Sequence, residues 1–294
     1  MTSTPTVHQV AAKGFGTGTN ELYDRARPSY RPDVLTHIRN SVRGSPPLNI
    51  VELGAGTGIF TRALLAHPDW AGTTVAQLRA IEPSAGMREQ FARTVHDARV
   101  SVAEGTFDDT HVEDGWADLI VIAQSAEARR GLLTRPGACG QAYHWCPDYD
   151  KGVREFARIL KPDGVVVLVW NLEDRDAAGW VAQLRDRIER HEHGTPQFRL
   201  GLWRATFDLP VYPQLFEKEE EKTWAYPLVG SREIVVNRAF SKSYIAVLPE
   251  DEKAKVKKDV EEIVEHGDGL VWSDKEKGEF EYPYKTYVVV LRKK

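Results

Sequence analysis

The order of apolar and amphipathic segments predicts an α/β fold, doubly wound about a mostly parallel sheet. Three features carry that prediction: short runs that are apolar at nearly every position, amphipathic stretches between them, and a glycine turn directly after the first run. Residues 48–53, 118–123 and 165–170 lack the polar alternation of a half-exposed strand and read as strands covered on both faces. Strands that alternate with helices need crossovers, and right-handed crossovers place helices on both sides of the sheet.

The elements follow in order. Residues 31–42 carry Val34, Leu35, Ile38 and Val42 at helical spacing, with Pro32 in the tolerant first turn. Gly44 to Pro47 break the chain before the strand at 48–53, and a helix opens behind the glycines over 61–65. A second strand is expected at 78–82, a helix at 84–95 with Met87, Phe91 and Val95 on one face, and a weak third strand at 100–102. The fourth strand, 118–123, precedes a helix at 149–160, closed by Lys161-Pro162-Asp163-Gly164, and the fifth strand covers 165–170. Beyond Asn171 the pattern changes to helices at 178–190, 231–244 and 249–265 and strands at 216–224 and 286–292. The mixed charges of 249–265 read as a solvated face with opposite charges three or four apart.

Composition narrows the function. A chain of 294 residues, 41% hydrophobic and 28% charged, has the make-up of a folded globular protein. Thirty-nine basic residues against 43 acidic ones, a net charge of −4, create no general positive field, so nucleic acid is not an expected partner. The longest apolar runs, 117–123 and 165–170, fall far short of the roughly 20 residues of a membrane-spanning helix. The first dozen residues lack the basic and apolar regions of a secretory signal, and Cys139 and Cys146 allow at most one disulfide. A cytoplasmic, reducing location is expected, with no required protein partner.

The chemistry concentrates at the end of the first strand, where Gly54-Ala55-Gly56-Thr57-Gly58 leads into a helix and lets a ligand approach backbone. A dinucleotide turn would place glycine or alanine at the sixth position, which is Ile59 here, so a nicotinamide oxidoreductase is disfavoured. Glu52 stands just before the turn, and Glu82 ends the second strand, where a carboxylate accepts ribose hydroxyls.

Glu52 with Gly54, Gly56 and Gly58 resembles the first motif of class I S-adenosylmethionine-dependent methyltransferases. Ala103-Glu104-Gly105-Thr106-Phe107-Asp108 resembles the loop after strand three in that family, with Thr106 and Phe107 at adenine-contacting positions and Thr106 in place of a more typical Asp. Ala142-Tyr143-His144-Trp145 and the stretch from Arg154 to Gly164 resemble the segments around its fourth and fifth strands, so the likeness covers roughly residues 20–175. Upstream, Tyr23-Asp24-Arg25-Ala26-Arg27-Pro28-Ser29-Tyr30 resembles the leader of the small-molecule, trans-aconitate-type branch, including fungal members, in which the leader folds over the cofactor. The resemblance implies a Rossmann-like seven-stranded sheet with a helical cap insert. It implies a leader at 1–20, a methyltransferase domain at 21–294 with a cap within about 172–270, and S-adenosyl-L-methionine as cofactor. Cofactor contacts are then expected from Glu52, Gly54, Ala55, Gly56, Gly58, Glu82, Thr106, Phe107 and Gln124, and acceptor chemistry from Tyr23, Arg27, His144 and Trp145.

The acceptor is expected to be a small molecule. If it is a carboxylic acid, it is ionised at neutral pH and needs only a cation such as Arg27; if it is a hydroxyl or amine, His144 is the base at hand. Tyr23 and Arg27 fit a surface packing pair equally well. No metal is expected: His191 and His193 would face different sides of a helix and lack a third ligand.

One segment departs from the family pattern. Residues 125–141 separate Gln124 from Ala142, which the family joins directly, and these 17 residues read as a small intron translated in frame rather than a genuine loop. A genuine insertion at the crevice mouth would form a lid or block the acceptor pocket, which leaves a catalytically impaired cofactor-binding protein as the alternative.

Overall fold

The computed structural model describes residues 20–123, 143, 146, 148–192 and 197–294. The insertion at 125–141, the leader before Asn20, and Gln124, His144 and Trp145 therefore lie outside the described residues.

Helices α1 (Asn20–Ala26) and α2 (Pro32–Ser41) precede β1 (Leu48–Leu53), α3 (Ile59–Ala66), β2 (Val75–Ile81), α4 (Ala85–Thr94), β3 (Val100–Ala103) and β4 (Ala117–Ala123). There follow α5 (Tyr149–Ile159), β5 (Leu160–Glu173), α6 (Gly179–Glu189), the single turn α7 (Tyr212–Leu215) and β6 (Glu220–Gly230). The chain closes with α8 (Arg232–Phe240), α9 (Ser243–Ala246), α10 (Glu250–Glu265), β7 (Trp272–Asp274) and β8 (Glu279–Arg292). Among the described residues the strands form one sheet in the order β3-β2-β1-β4-β5-β8-β6, with β7 paired beside β8. Strands β1 to β5 pair in parallel, whereas β8 pairs antiparallel with both β5 and β6.

Alternating residues of the central strands divide between two cores. Val51, Leu53, Ile120, Ile122, Val166 and Leu168 face α5 and the underlayer of Trp203, Tyr212 and Phe216. Their neighbours Ile50, Leu119, Val121, Val165 and Val167 meet Val34, Leu35 and Ile38 of α2 and Phe60 and Leu64 of α3. Burial on both faces is why these strands read as unbroken apolar runs. A third core joins Trp180, Leu184, Val235, Val260 and Ile263 of the later helices to Tyr226, Phe280, Tyr282 and Tyr284 at the outer ends of β6 and β8.

Several boundaries differ from the sequence expectation. Strand β5 begins at Leu160 because Lys161 to Gly164 loop out between its pairings with Ala117 and Leu119, and Asp163 takes φ 63° in that bulge. The strand expected at 216–224 starts later, at Glu220; Phe216 stacks on Tyr212 in the core and only bridges to Lys293. The helix expected over 231–244 breaks in two, because Lys242 leaves the helical path and its ammonium reaches Glu173 at 3.1 Å. The last strand extends back to Glu279, and its outer half, still paired with β6, packs within the third core. Helix α6 ends at Glu189, so His191 follows it rather than riding on it, and His193 lies outside the described residues.

Candidate functional site

The sheet order reverses between β1 and β4, and the crevice at their carboxyl ends is where an open α/β sheet receives ligands. The chain leaves β1 there in a turn whose Gly54, Gly56 and Gly58 all have positive φ, from 57° to 85°. Two of these glycines serve different needs. A Cβ on Gly56 would meet nothing within 4 Å, so the open side of the turn is free for a ligand. A Cβ on Gly58 would come within 2.7 Å of Val95 and 3.0 Å of Phe91, so this glycine lets α3 start close against α4.

Two buried carboxyls flank the turn. Glu52, 1% exposed, accepts a hydrogen bond from the Thr61 hydroxyl. Burial pushes its pKa up to about 8, against the Thr61 bond and Arg62, with the Glu82 charge adding to the rise. Glu82 accepts the Gly56 amide on one oxygen at 3.0 Å and the Ser84 amide on the other at 2.9 Å. Burial lifts it to about 7, moderated by those two amides and by Arg88.

The leader segment is fastened over the turn. Asp24 accepts the Thr57 hydroxyl at 2.6 Å and Arg62 Nη2 at 2.7 Å, tying α1 to the glycine loop and to α3. Arg27 is buried, lies 4.9 Å from the Tyr23 ring centre, and donates from Nη2 to the Ser241 carbonyl at 3.2 Å. Asn171, at the carboxyl end of β5, donates to the Ser29 carbonyl at 3.2 Å and accepts from Thr286 at 2.6 Å.

These elements enclose three linked spaces. The first, about 380 Å³, is walled by Tyr23, Arg27, Glu52, Gly54, Gly56 and Asn171, among others. The second, about 200 Å³, lies between Leu53, Ile81, Pro83, Gly105, Thr106 and Phe107 and shares Gly54 with the first. A third, about 880 Å³, opens between the leader and the later helices; Arg27, Pro28 and Tyr30 line both it and the first.

Of the residues singled out in the sequence, Tyr23, Arg27, Glu52, Gly54, Ala55 and Gly56 line the first space and Thr106 and Phe107 the second. Phe107 is 3% exposed and also packs edge-on to Tyr143, 6.1 Å between ring centres. Gly58 and Glu82 line neither space: the glycine serves helix packing, and the carboxylate is folded under the turn onto two backbone amides. Sequence reasoning missed Asn171 as a wall of the site, although its place just past the apolar run of β5 marks it. It also missed the third space, whose walls come from three distant segments. No group of three or more His, Cys, Asp or Glu side chains among the described residues is arranged to hold a metal ion. No helix among them is long and apolar enough to cross a membrane.

Parallel strands in this order, with a glycine turn at the switch point and flanking acids, form a Rossmann-like α/β sheet of the kind found in methyltransferases. Residues 51–129 match the family described as a methyltransferase domain. The chain is 28% identical over 260 residues, 87% of each chain, to an uncharacterized methyltransferase-like protein of Schizosaccharomyces pombe. It is 29% identical over 176 residues, 60% of this chain and 59% of the other, to an uncharacterized methyltransferase of Mycobacterium tuberculosis. The fold is shared with a proposed type II methyltransferase of Anaeromyxobacter dehalogenans, at TM-score 0.57 and 16% identity over 91% of this chain and 97% of the other. The YcgJ protein of Bacillus subtilis shares it at TM-score 0.51 and 19% identity over 90% and 99%.

Proposed function

We propose that the protein methylates a small organic acid on a carboxylate oxygen, using S-adenosyl-L-methionine. The observation that carries this reading is the position of Arg27, a buried cation in the wall common to the space beside the glycine turn and the large space beyond. An ionised carboxylate held there meets a fixed positive charge, and charge-assisted pairing with a guanidinium also fixes its orientation.

The chain's residues fit the cofactor. Gly56 leaves open the volume that a Cβ would fill, and Glu52 presents a buried carboxyl to the same space, where a cation would favour its ionised form. Gly54, Ala55, Gly56 and Glu52 would hold the amino-acid end, and Thr106 and Phe107 the base in the adjoining apolar space. Glu82 supports this cradle from beneath, fixing the turn through the Gly56 and Ser84 amides. When bound, the cofactor supplies a methyl group on a positively charged sulfur.

On the acceptor side, a C–O bond forms as the C–S bond breaks and the electron pair returns to sulfur. A carboxylate loses no proton in this step, so Arg27 has only to bind and orient it, while Tyr23 and Tyr30 shield the reaction from water. Incubating the protein and isotopically labelled S-adenosylmethionine with a cell extract tests the reading by mass spectrometry. A small acid that gains the labelled methyl supports it; label confined to protein or nucleic acid would defeat it.

A further inference from the structure

Arg238 and Tyr282, which line the largest of the three spaces, carry buried donors that the fold leaves without an acceptor. Arg238 of α8 is 1% exposed; its Nε donates to the Tyr284 hydroxyl at 2.8 Å and lies 3.4 Å from a Glu173 oxygen. Neither Nη1 nor Nη2 of this guanidinium has a hydrogen-bond partner. The hydroxyl of Tyr282, itself 1% exposed, has none either. Both residues line the large space. Leaving a buried donor without an acceptor is costly, and more so when it is charged, so such groups mark a place where a ligand completes the bonding.

The neighbouring charges do not use the free end of Arg238. Burial alone would raise the pKa of Glu173, but Lys242, Arg185 and Arg238 hold it well below the usual carboxylate range, so it is ionised. Its second oxygen is taken by Arg185 at 2.8 Å and by Lys242 at 3.1 Å. The ring of Tyr284 lies 5.7 Å from the guanidinium carbon, the outer range of a cation–π contact. Two parallel N–H donors at the end of a planar cation match the two oxygens of a carboxylate. Leu228, Val229 and Ile234 add apolar lining, the last two 59% and 43% exposed, beside Arg25, Arg27 and Arg31 of the leader segment.

We propose that this space is the acceptor's anchoring site. It takes an organic acid with an apolar body, receives a non-reacting anionic group on Arg238 and Tyr282, lays the body along Leu228, Val229 and Ile234, and leaves the reacting carboxylate at Arg27. This rests on the methyl-transfer reading for the identity of the occupant, while the anion site itself rests on the buried donors.

The test uses the full chain saturated with S-adenosylhomocysteine, and 4-phenylbutyrate, its amide and inorganic phosphate as probes in calorimetric titrations. The carboxylate should bind at least about tenfold more tightly than the amide, and Arg238→Gln should remove about tenfold of that affinity without changing S-adenosylhomocysteine binding. Tyr282→Phe removes a single hydroxyl and should weaken the carboxylate about threefold. Val229→Trp, at an exposed position, should exclude both carboxylate and amide. The last two variants carry the test if Arg238→Gln does not fold. Equal binding of carboxylate and amide, undiminished carboxylate affinity in Tyr282→Phe and Val229→Trp, or phosphate binding more tightly than phenylbutyrate would overturn the proposal. Failure of the wild type to bind S-adenosylhomocysteine would overturn the methyl-transfer reading instead; carboxylate-selective binding sensitive to Tyr282 and Val229 would still support the anion site.

Discussion

Glu52→Gln should change how stability depends on pH, because burial raises the Glu52 pKa from 4.5 to about 8. Between those values the folded chain holds a proton at this carboxyl that the unfolded chain has released. Stability of the ligand-free protein therefore falls as pH rises from about 5 to about 8, and levels off once the folded carboxyl has ionised too. At about 1.4 kcal/mol per pH unit, that interval amounts to about 5 kcal/mol, a large share of an ordinary domain's roughly 5–15 kcal/mol. The substituted amide would have the shape of the acid and an oxygen for the Thr61 hydroxyl but nothing to titrate. The variant should match wild type near pH 5 and exceed it by several kcal/mol above pH 8, retaining only the shallower fall due to Glu82, whose pKa is near 7. Urea unfolding followed by tryptophan fluorescence at pH 5, 6, 7 and 8 measures this directly. A wild type no steeper than the variant, or a variant less stable than wild type at pH 8, would show that burial does not hold Glu52 protonated.

Other outcomes follow from the same geometry. Gly56→Val should cost about 1–2 kcal/mol for its positive φ yet block S-adenosylmethionine, whereas Gly58→Ala should destabilise further because its Cβ meets Val95 and Phe91; calorimetry and thermal melts separate the two effects. For a carboxylate acceptor, Arg27→Gln should lower apparent affinity about tenfold to a hundredfold while His144→Gln stays mild. A His144 variant that loses most of the rate across pH 5.5 to 8.5, beside a nearly normal Arg27 variant, would instead point to a hydroxyl acceptor. Deleting residues 125–141 should raise soluble yield or activity; loss of both, or a transcript and a cellular protein that retain the segment, would show that it belongs to the working protein.

The sheet and the glycine site were legible in the sequence because both are local. Leu48 to Leu53 and Ala117 to Ala123 are buried on two faces, so their composition announces them. The glycine turn and its flanking acids fall in register with the strand ends. What escaped the sequence depends on distant segments meeting. Arg238 is one arginine on a helix until Tyr284 and Glu173 close around its Nε, and nothing near it in the chain signals a cavity. Lys242 breaks a helix that local propensity would continue, because a buried carboxylate 69 residues away attracts it. Gly58 has the spacing of a ligand loop but meets α4, a contact that only the folded chain reveals.

The alkali lability of the product distinguishes the proposed methyl transfer to a carboxylate oxygen from transfer to a hydroxyl or amine. Purified protein is incubated with S-adenosylmethionine carrying a labelled methyl group and with the small-acid fraction of a cell extract, and the products are then treated with mild base. A methyl ester hydrolyses to methanol, so the label should become volatile after base, in an amount that falls with Arg27→Gln. Label that stays in a base-stable ether or amine would contradict it.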